Sequence, residues 1–285
     1  MLTITVKLLI WSSFISIYLV NKTTLAQPAD FIAYACENAS NYTRNSTYER
    51  NLDSALSALP STNSGFGFFN FSAGQGNDIV NSVALCRGDV NSTECRSCLN
   101  DSMIKIRSSC PNKKEATGYY DSCLLYYSNQ TILQQTGFKF GRILFNTQNT
   151  SDVNQFNSVL RPLLADLRTK AAAGGPQRKF ATANNATGPG FSTIYGLVQC
   201  IPNLSESECN DCLEDSIKEI PNYMNGKVGG RFLLPRCNYR YEIYRFFNES
   251  AGIISPSPPP PPVLQPSPPV QLPSSPPGTT VYMFL

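Results

Sequence analysis

The sequence predicts an α+β fold built twice in tandem. Three observations carry that prediction. The spacing C-x8-C-x2-C at Cys86, Cys95 and Cys98 returns at Cys200, Cys209 and Cys212, each 114 residues downstream, and Cys123 and Cys237 keep the same offset. Each copy joins apolar stripes of helical period to short runs rich in aromatic and β-branched residues. Ten cysteines accompany no histidine in 285 residues. An even cysteine count at repeated spacing reads as a disulfide framework in an exported chain. The repeat defines a module of roughly 110 residues, large enough to bury its own core. Zinc is the rival reading of C-x2-C, but no histidine is present to complete mixed sites.

Composition narrows the function. A net charge of +3 implies no polyanion partner, and no basic stripe with interleaved aromatics points to nucleic acid. Histidine-based triads are impossible here. A kinase needs a Gly-rich phosphate loop and a catalytic-loop Asp, and neither motif is recognisable. Glu206 and Glu208 could in principle form a glycosidase carboxylate pair, yet they read better as a capped, solvated helix start. The expectation is a non-enzyme with no cofactor and no metal.

The elements follow in order. Residues 1–26 read as a signal peptide: Lys7 flanks an apolar run from Leu8 to Val20, and Thr24-Leu25-Ala26 suits cleavage. An uncleaved anchor is the alternative, but the run falls short of the ~20 residues a spanning helix needs. No membrane span is expected after cleavage. The first domain is expected over 30–129. Tyr48 to Leu59 carries Leu52, Leu56 and Leu59 on one helical stripe, and Pro60 ends it. Gly65 to Phe69 and Ile79 to Leu85 suit strands. Asn91-Ser-Thr-Glu94 resembles a capping box opening a helix, which would carry Cys95 and Cys98 on one face, followed by Ile104 and Ile106. Tyr119 to Tyr127 reads as one closing strand around Cys123.

Residues 130–152 are expected to link the copies, and 153–248 to form the second domain. Val159 to Leu167 gives its helix, with Leu160, Leu163, Leu164 and Leu167 as the apolar face. Phe191 to Val198 is the strand before Cys200. Ser205-Glu-Ser-Glu208 repeats the cap, and Leu213, Asp215, Ser216 and Ile220 match Leu99, Asp101, Ser102 and Ile106. Phe232 to Leu234 and Tyr239 to Phe247 read as closing strands. The tail, 249–285, is proline-rich from Ser255 to Pro277 and suits extended polyproline II rather than a core. Its last five residues, Val281 to Leu285, cannot span a membrane. Asn-x-Ser/Thr sequons stand at Asn38, Asn41, Asn45, Asn70, Asn91, Asn100, Asn129, Asn149, Asn185, Asn203 and Asn248. Sugars there would require surface positions and a secretory route.

The first copy has two cysteines that the second lacks. Met224 stands where Cys110 would repeat, and no cysteine matches Cys36. Two cysteines absent together suggest that they pair, closing a long loop worth about 4 kcal/mol in the chain-entropy model. The remaining four in each copy allow three pairings. Cys95 and Cys98 sit on one rigid helical turn, so each more easily reaches a neighbouring strand. That favours Cys86–Cys95 with Cys98–Cys123, and Cys200–Cys209 with Cys212–Cys237. The bonds read as structural, with redox sensing as the lesser alternative.

The two C-x8-C-x2-C blocks, Cys86-Arg-Gly-Asp89 and the run Gly229-Gly-Arg-Phe-Leu-Leu-Pro-Arg-Cys237-Asn-Tyr-Arg-Tyr-Glu242 resemble the plant ginkbilobin-2-homologous family, also called domain of unknown function 26. The resemblance covers about residues 30–248. It implies an α+β sandwich in each copy, two helices on an antiparallel sheet, and the bridge pairing just given. Family members include secreted cysteine-rich repeat proteins, plasmodesmal membrane proteins and ectodomains of cysteine-rich receptor-like kinases, the last often with a proline-rich stretch after the second domain. Some members bind mannose through an Asn just after the first cysteine, an Arg and a Glu. Glu37, Thr117 and Ser128 depart from that pattern in the first copy. The second copy matches at Arg231 and Glu242 but lacks the cysteine that positions the Asn. Arg and carboxylate can fork onto adjacent sugar hydroxyls; an ion pair between strands is the plainer role for the two.

The expected function is therefore extracellular recognition in plant defence or signalling, in the apoplast, or at the plasma membrane if the chain derives from a receptor. The partner would be a glycan or another protein ectodomain. A secreted antifungal mannose-binding lectin-like protein and a cell-wall structural protein are the alternatives.

Overall fold

A computed structural model describes residues 31–37, 40–62, 66–134, 137–175, 178–186 and 193–248. The expected signal peptide, the proline tail, Asn38, Gly65 and Phe191 lie outside these residues. The first copy runs β1 (Phe31–Cys36), α1 (Thr47–Ala58), β2 (Phe68–Ala73), β3 (Val80–Cys86), α2 (Ser92–Ser109), β4 (Ala116–Tyr120) and β5 (Cys123–Ser128). The second runs β6 (Arg142–Phe145), α3 (Val153–Ala172), β7 (Lys179–Ala186), β8 (Thr193–Cys200), α4 (Glu206–Lys218), the single turn α5 (Ile220–Tyr223), β9 (Gly230–Leu233) and β10 (Cys237–Glu242). Their antiparallel sheets share one topology, β1-β4-β5-β3-β2 and β6-β9-β10-β8-β7.

Local chemistry explains the boundaries. Pro60 stops α1 at Ala58, where a 3-10 turn over Leu59–Ser61 takes over; Leu52, Leu56 and Leu59 are all buried. Gly67 has φ +73, a left-handed conformation, so β2 starts only at Phe68. The closing segment Tyr119 to Tyr127 is two strands rather than one, because the chain turns at Asp121-Ser122 between β4 and β5. The caps also differ. Ser205 and Glu208 form a complete capping box on α4. At α2 the Asn91 side chain accepts from the Thr93 and Glu94 amides, but Glu94 turns away to accept from the Ser122 hydroxyl at 2.6 Å. The stretch expected to be a linker contains β6, which pairs with β9 and forms an edge of the second sheet. Its four residues are too few to show a period on their own.

Five disulfides join Cys36–Cys110, Cys86–Cys95, Cys98–Cys123, Cys200–Cys209 and Cys212–Cys237, the pairs read from the repeat. All ten sulfurs are oxidised, which removes the thiolates a zinc site would need. The matched residues behave alike. Leu99 and Leu213 are fully buried, and Ser102 and Ser216 each donate back to those leucines' carbonyls, at 2.8 and 2.9 Å. Ile106 and Ile220 are buried, whereas Ile104 is 75% exposed. Among the described residues no helix is long and apolar enough to cross a membrane.

The period-2 alternation of the central strands assembles the molecule. On β3 and β5, Ala84, Cys86, Cys123, Leu125 and Tyr127 pack under α1 and α2. Their neighbours Val83, Leu85, Leu124 and Tyr126 join a cluster shared with the second copy. The two sheets thus face one another with the helices outside. Gln199 donates to the Cys86 carbonyl at 3.0 Å, Arg142 to that of Tyr34 at 3.0 Å, and Arg178 to that of Gly88 at 2.5 Å. Gly88 lies flat against Phe180; a Cβ there would sit 2.5 Å from its ring. The flanking Arg87 and Asp89 pair at 2.6 Å, and Asp89 also accepts from the Asn248 amide at 2.9 Å. The Cys86-Arg-Gly-Asp89 motif is therefore part of the seam between copies.

Candidate functional site

Three adjacent rungs of the second sheet build the site. Leu144 pairs with Arg231 and Arg231 with Arg240. Two rungs further, past Phe145, Gly230 and Tyr241, the Asn146 amide donates to the Gly229 carbonyl at 3.0 Å, bringing Asn146, Gly229 and Glu242 into line. Gly229 has no side chain, so Asn146 and Glu242 meet across it. Asn146 Nδ2 donates to Glu242 Oε2 at 3.0 Å. A Cβ on Gly229 would lie 2.0 Å from that oxygen and 2.5 Å from the Asn146 nitrogen. Asp121, Phe145, Asn146, Arg231, Glu242 and Tyr244 line a cleft of about 340 Å³, within the size range of small-molecule sites.

The second copy lacks the cysteine that would position the Asn, as expected, but the register places an Asn there all the same. In the first copy Cys36 pairs with Ala116, and in the second Phe145 pairs with Gly230, the residue 114 positions after Ala116. Phe145 thus stands in the place of Cys36, and the residue after it is Asn146. The backbone bond repeats: Glu37 N–H donates to the Glu115 carbonyl at 3.0 Å, as Asn146 does to Gly229. Asn146, Arg231 and Glu242 thus stand at the three positions that the resemblance implies. Sequence reading missed Asn146 because Cys36 precedes Cys86 by 50 residues, whereas Phe145 precedes Cys200 by 55. The one available signal was Gly229 standing where the first copy has Glu115.

Arg231 and Glu242 do not pair with each other. Arg231 Nη1 donates to Asp121 Oδ1 of the first copy at 2.6 Å, and Glu242 Oε1 accepts from Arg240 Nε at 3.0 Å. Asp121 also holds Arg240 at 3.0 Å and Arg87 at 2.8 Å. Burial pushes the Asp121 carboxyl up, but Arg231, Arg240 and Arg87 together hold it below its ordinary range. Burial and then the neighbouring Arg240 push Arg231 down, against the pull of Asp121. Its guanidinium stays charged. The arrangement presents guanidinium donors, an amide and a carboxylate to one cleft, which matches a polyhydroxylated neutral molecule.

The equivalent place in the first copy is filled. Thr117 and Ser128 are fully buried. Glu115, in the position of Gly229, accepts from the Tyr126 hydroxyl at 2.6 Å and from Lys139 at 3.2 Å, and Lys139 reaches Glu37 at 2.7 Å. The carboxylate pair considered for hydrolysis is also accounted for. Glu208 is spent on the Ser205 cap, whose bonds lower its pKa, and Glu206 lies exposed in the same first turn. Among the described sequons, Asn41, Asn45, Asn70, Asn91, Asn100, Asn149, Asn185, Asn203 and Asn248 are exposed and Asn129 is half-buried. Asn70 and Asn185 lie on the edge strands β2 and β7, where an attached glycan would obstruct pairing with another chain.

The model of the salt stress response/antifungal family matches residues 35–130 and 145–244. Cysteine-rich receptor-like protein kinase 25 of Arabidopsis thaliana is 40% identical over 250 residues, covering 86% of this chain and 36% of the relative. Cysteine-rich repeat secretory protein 38 of the same plant is 39% identical, covering 79% of this chain and 89% of its own. An antimicrobial ginkbilobin-2-like protein of Castanea crenata is 38% identical, covering 76% and 89%. The chain thus spans little more than a third of the kinase, at 36%. The tandem ectodomain of the Arabidopsis cysteine-rich receptor-like protein PDLP8 superposes with a TM-score of 0.65 at 24% identity, over 76% of this chain and 98% of that one, a likeness of fold.

Proposed function

Because the chain belongs to the salt stress response/antifungal family, with two tandem domains, we propose that it is a non-catalytic extracellular recognition protein whose second domain binds a neutral hexose. The supporting observation is the Asn146–Arg231–Glu242 constellation around Gly229, open in the second copy and filled in the first. Carboxylates at Asp121 and Glu242 disfavour an acidic sugar, and the amide and guanidinium supply donors to hydroxyl oxygens. The five disulfides suit an oxidising extracellular setting.

Calorimetric titration with methyl α-mannoside, methyl α-glucoside and glucuronic acid tests the reading. Binding of a neutral glycoside and none of glucuronic acid is expected. Gly229→Ala and Asn146→Ala should each weaken binding on the order of tenfold or more, with folding of each variant checked by its melting temperature. Wild-type silence towards all neutral hexosides would remove the proposal. The Castanea relative, which carries an antimicrobial name, favours a second reading as a secreted antimicrobial lectin-like protein. That reading expects fungal growth inhibition by the purified protein, lost in Gly229→Ala.

A further inference from the structure

Arg240 is buried and binds three groups at once. Its Nε donates to Glu242, its Nη1 to Asp121 of the first copy, and its Nη2 to the hydroxyl of Tyr244, each at 3.0 Å. Tyr244 lines the cleft, yet 52% of the residue is exposed. Its polar end is tied down and the Arg240 guanidinium lies 5.9 Å from its ring centroid, while about half of the residue stays exposed. An aromatic ring fixed beside a cluster of hydrogen-bonding groups loses little freedom when a ligand covers it, and gains from burying an apolar face. A pyranose has such a face in its C–H bonds, with hydroxyls at its edge for Asn146, Arg231 and Glu242.

We infer that Tyr244 is the stacking platform of the hexose site, a specificity-determining residue, and that the first copy fixes it through Asp121 and Arg240. This rests on the sugar-binding reading and adds to it the residue that selects a pyranose ring over an acyclic polyol. It also makes the site composite. Asp121 lies in the β4–β5 turn of one copy, whereas Tyr244 and the three polar residues belong to the other. Phe145, 49% exposed on β6, carries Lys227 over its ring at 5.3 Å, closer than the Arg240 guanidinium lies to the Tyr244 ring at 5.9 Å.

The test compares wild type, Tyr244→Ala and Tyr244→Phe by calorimetry with methyl α-mannoside, methyl α-glucoside and methyl α-galactoside, with melting temperatures measured in parallel. Tyr244→Ala is expected to weaken the best-bound glycoside on the order of tenfold, and Tyr244→Phe, which keeps the ring but loses its bond from Arg240, to weaken it by no more than about threefold. A Tyr244→Ala protein within that range overturns the platform while leaving the sugar site standing. A Tyr244→Phe protein as weak as Tyr244→Ala also overturns it, because the hydroxyl and not the ring would then matter. Wild-type protein that binds none of the three removes the sugar reading and the platform with it.

Discussion

Replacing Cys36 and Cys110 together by alanine should destabilise the first copy by about 4 kcal/mol. The bridge spans 74 residues, the longest loop closed by any of the five, so it restricts the unfolded chain most. It ties β1, an edge strand whose one sheet neighbour is β4, to the C-terminus of α2. Both cysteines must be replaced, because a single free thiol would exchange with the other bridges. The second copy supplies an internal control, since it places Phe145 and Met224 at these positions. A Cys36→Phe, Cys110→Met variant should lie between wild type and the alanine pair. Met224 is buried and packs in the core, whereas Phe145 is half exposed and contributes little. Urea titration under oxidising conditions, with hydrogen exchange of the β1 amides, measures the difference. An alanine pair that unfolds at the wild-type urea concentration would refute the assignment.

The second large effect is expected at Asp121. One carboxylate faces Arg87, Arg231 and Arg240 at 2.8, 2.6 and 3.0 Å. Asp121→Asn would leave three guanidinium groups confronting one another at the seam. Removing one partner of a buried ion pair costs roughly 3–5 kcal/mol; because the Asp121 side chain is 27% exposed, solvent screening reduces that to about 2 kcal/mol. The pH dependence has a definite sign. The folded carboxyl titrates below its ordinary range, because the three arginines outweigh burial. Its contribution is therefore complete above the unfolded value and is lost as pH falls through the folded one, below about pH 4. Wild-type melting temperature should fall more steeply than that of Asp121→Asn on acidification through this window. Parallel curves, or a variant as stable as wild type at pH 7, would show that the three cations are compensated elsewhere.

How much of this was legible in the sequence varied with the element. The helices declared themselves through leucine spacing and caps, as at Leu52, Leu56 and Leu59 in α1 and Ser205 with Glu208 in α4. β1, β6 and β7 did not. β6 has four residues, and β7 is the run Lys-Phe-Ala-Thr-Ala-Asn-Asn-Ala, whose polar end lies on a half-exposed edge. Edge strands bury too little to enforce a period-2 pattern. Of the site, Arg231 and Glu242 were visible because they keep the register of the downstream cysteines. Asn146 was hidden by a change in spacing upstream of Cys200, and Tyr244 by having no motif at all.

The linear chain by itself determined the duplication, the cysteine partners and the helical faces, because each depends on spacing within a segment or on an offset between segments. Tertiary structure alone decided that Phe145 takes the place of Cys36, that Gly229 lets Asn146 and Glu242 meet, and that Asp121 reaches across to Arg231 and Arg240. Those outcomes depend on which backbone groups bond across strands and which sheet faces pack together. Distance along the chain carries no record of either.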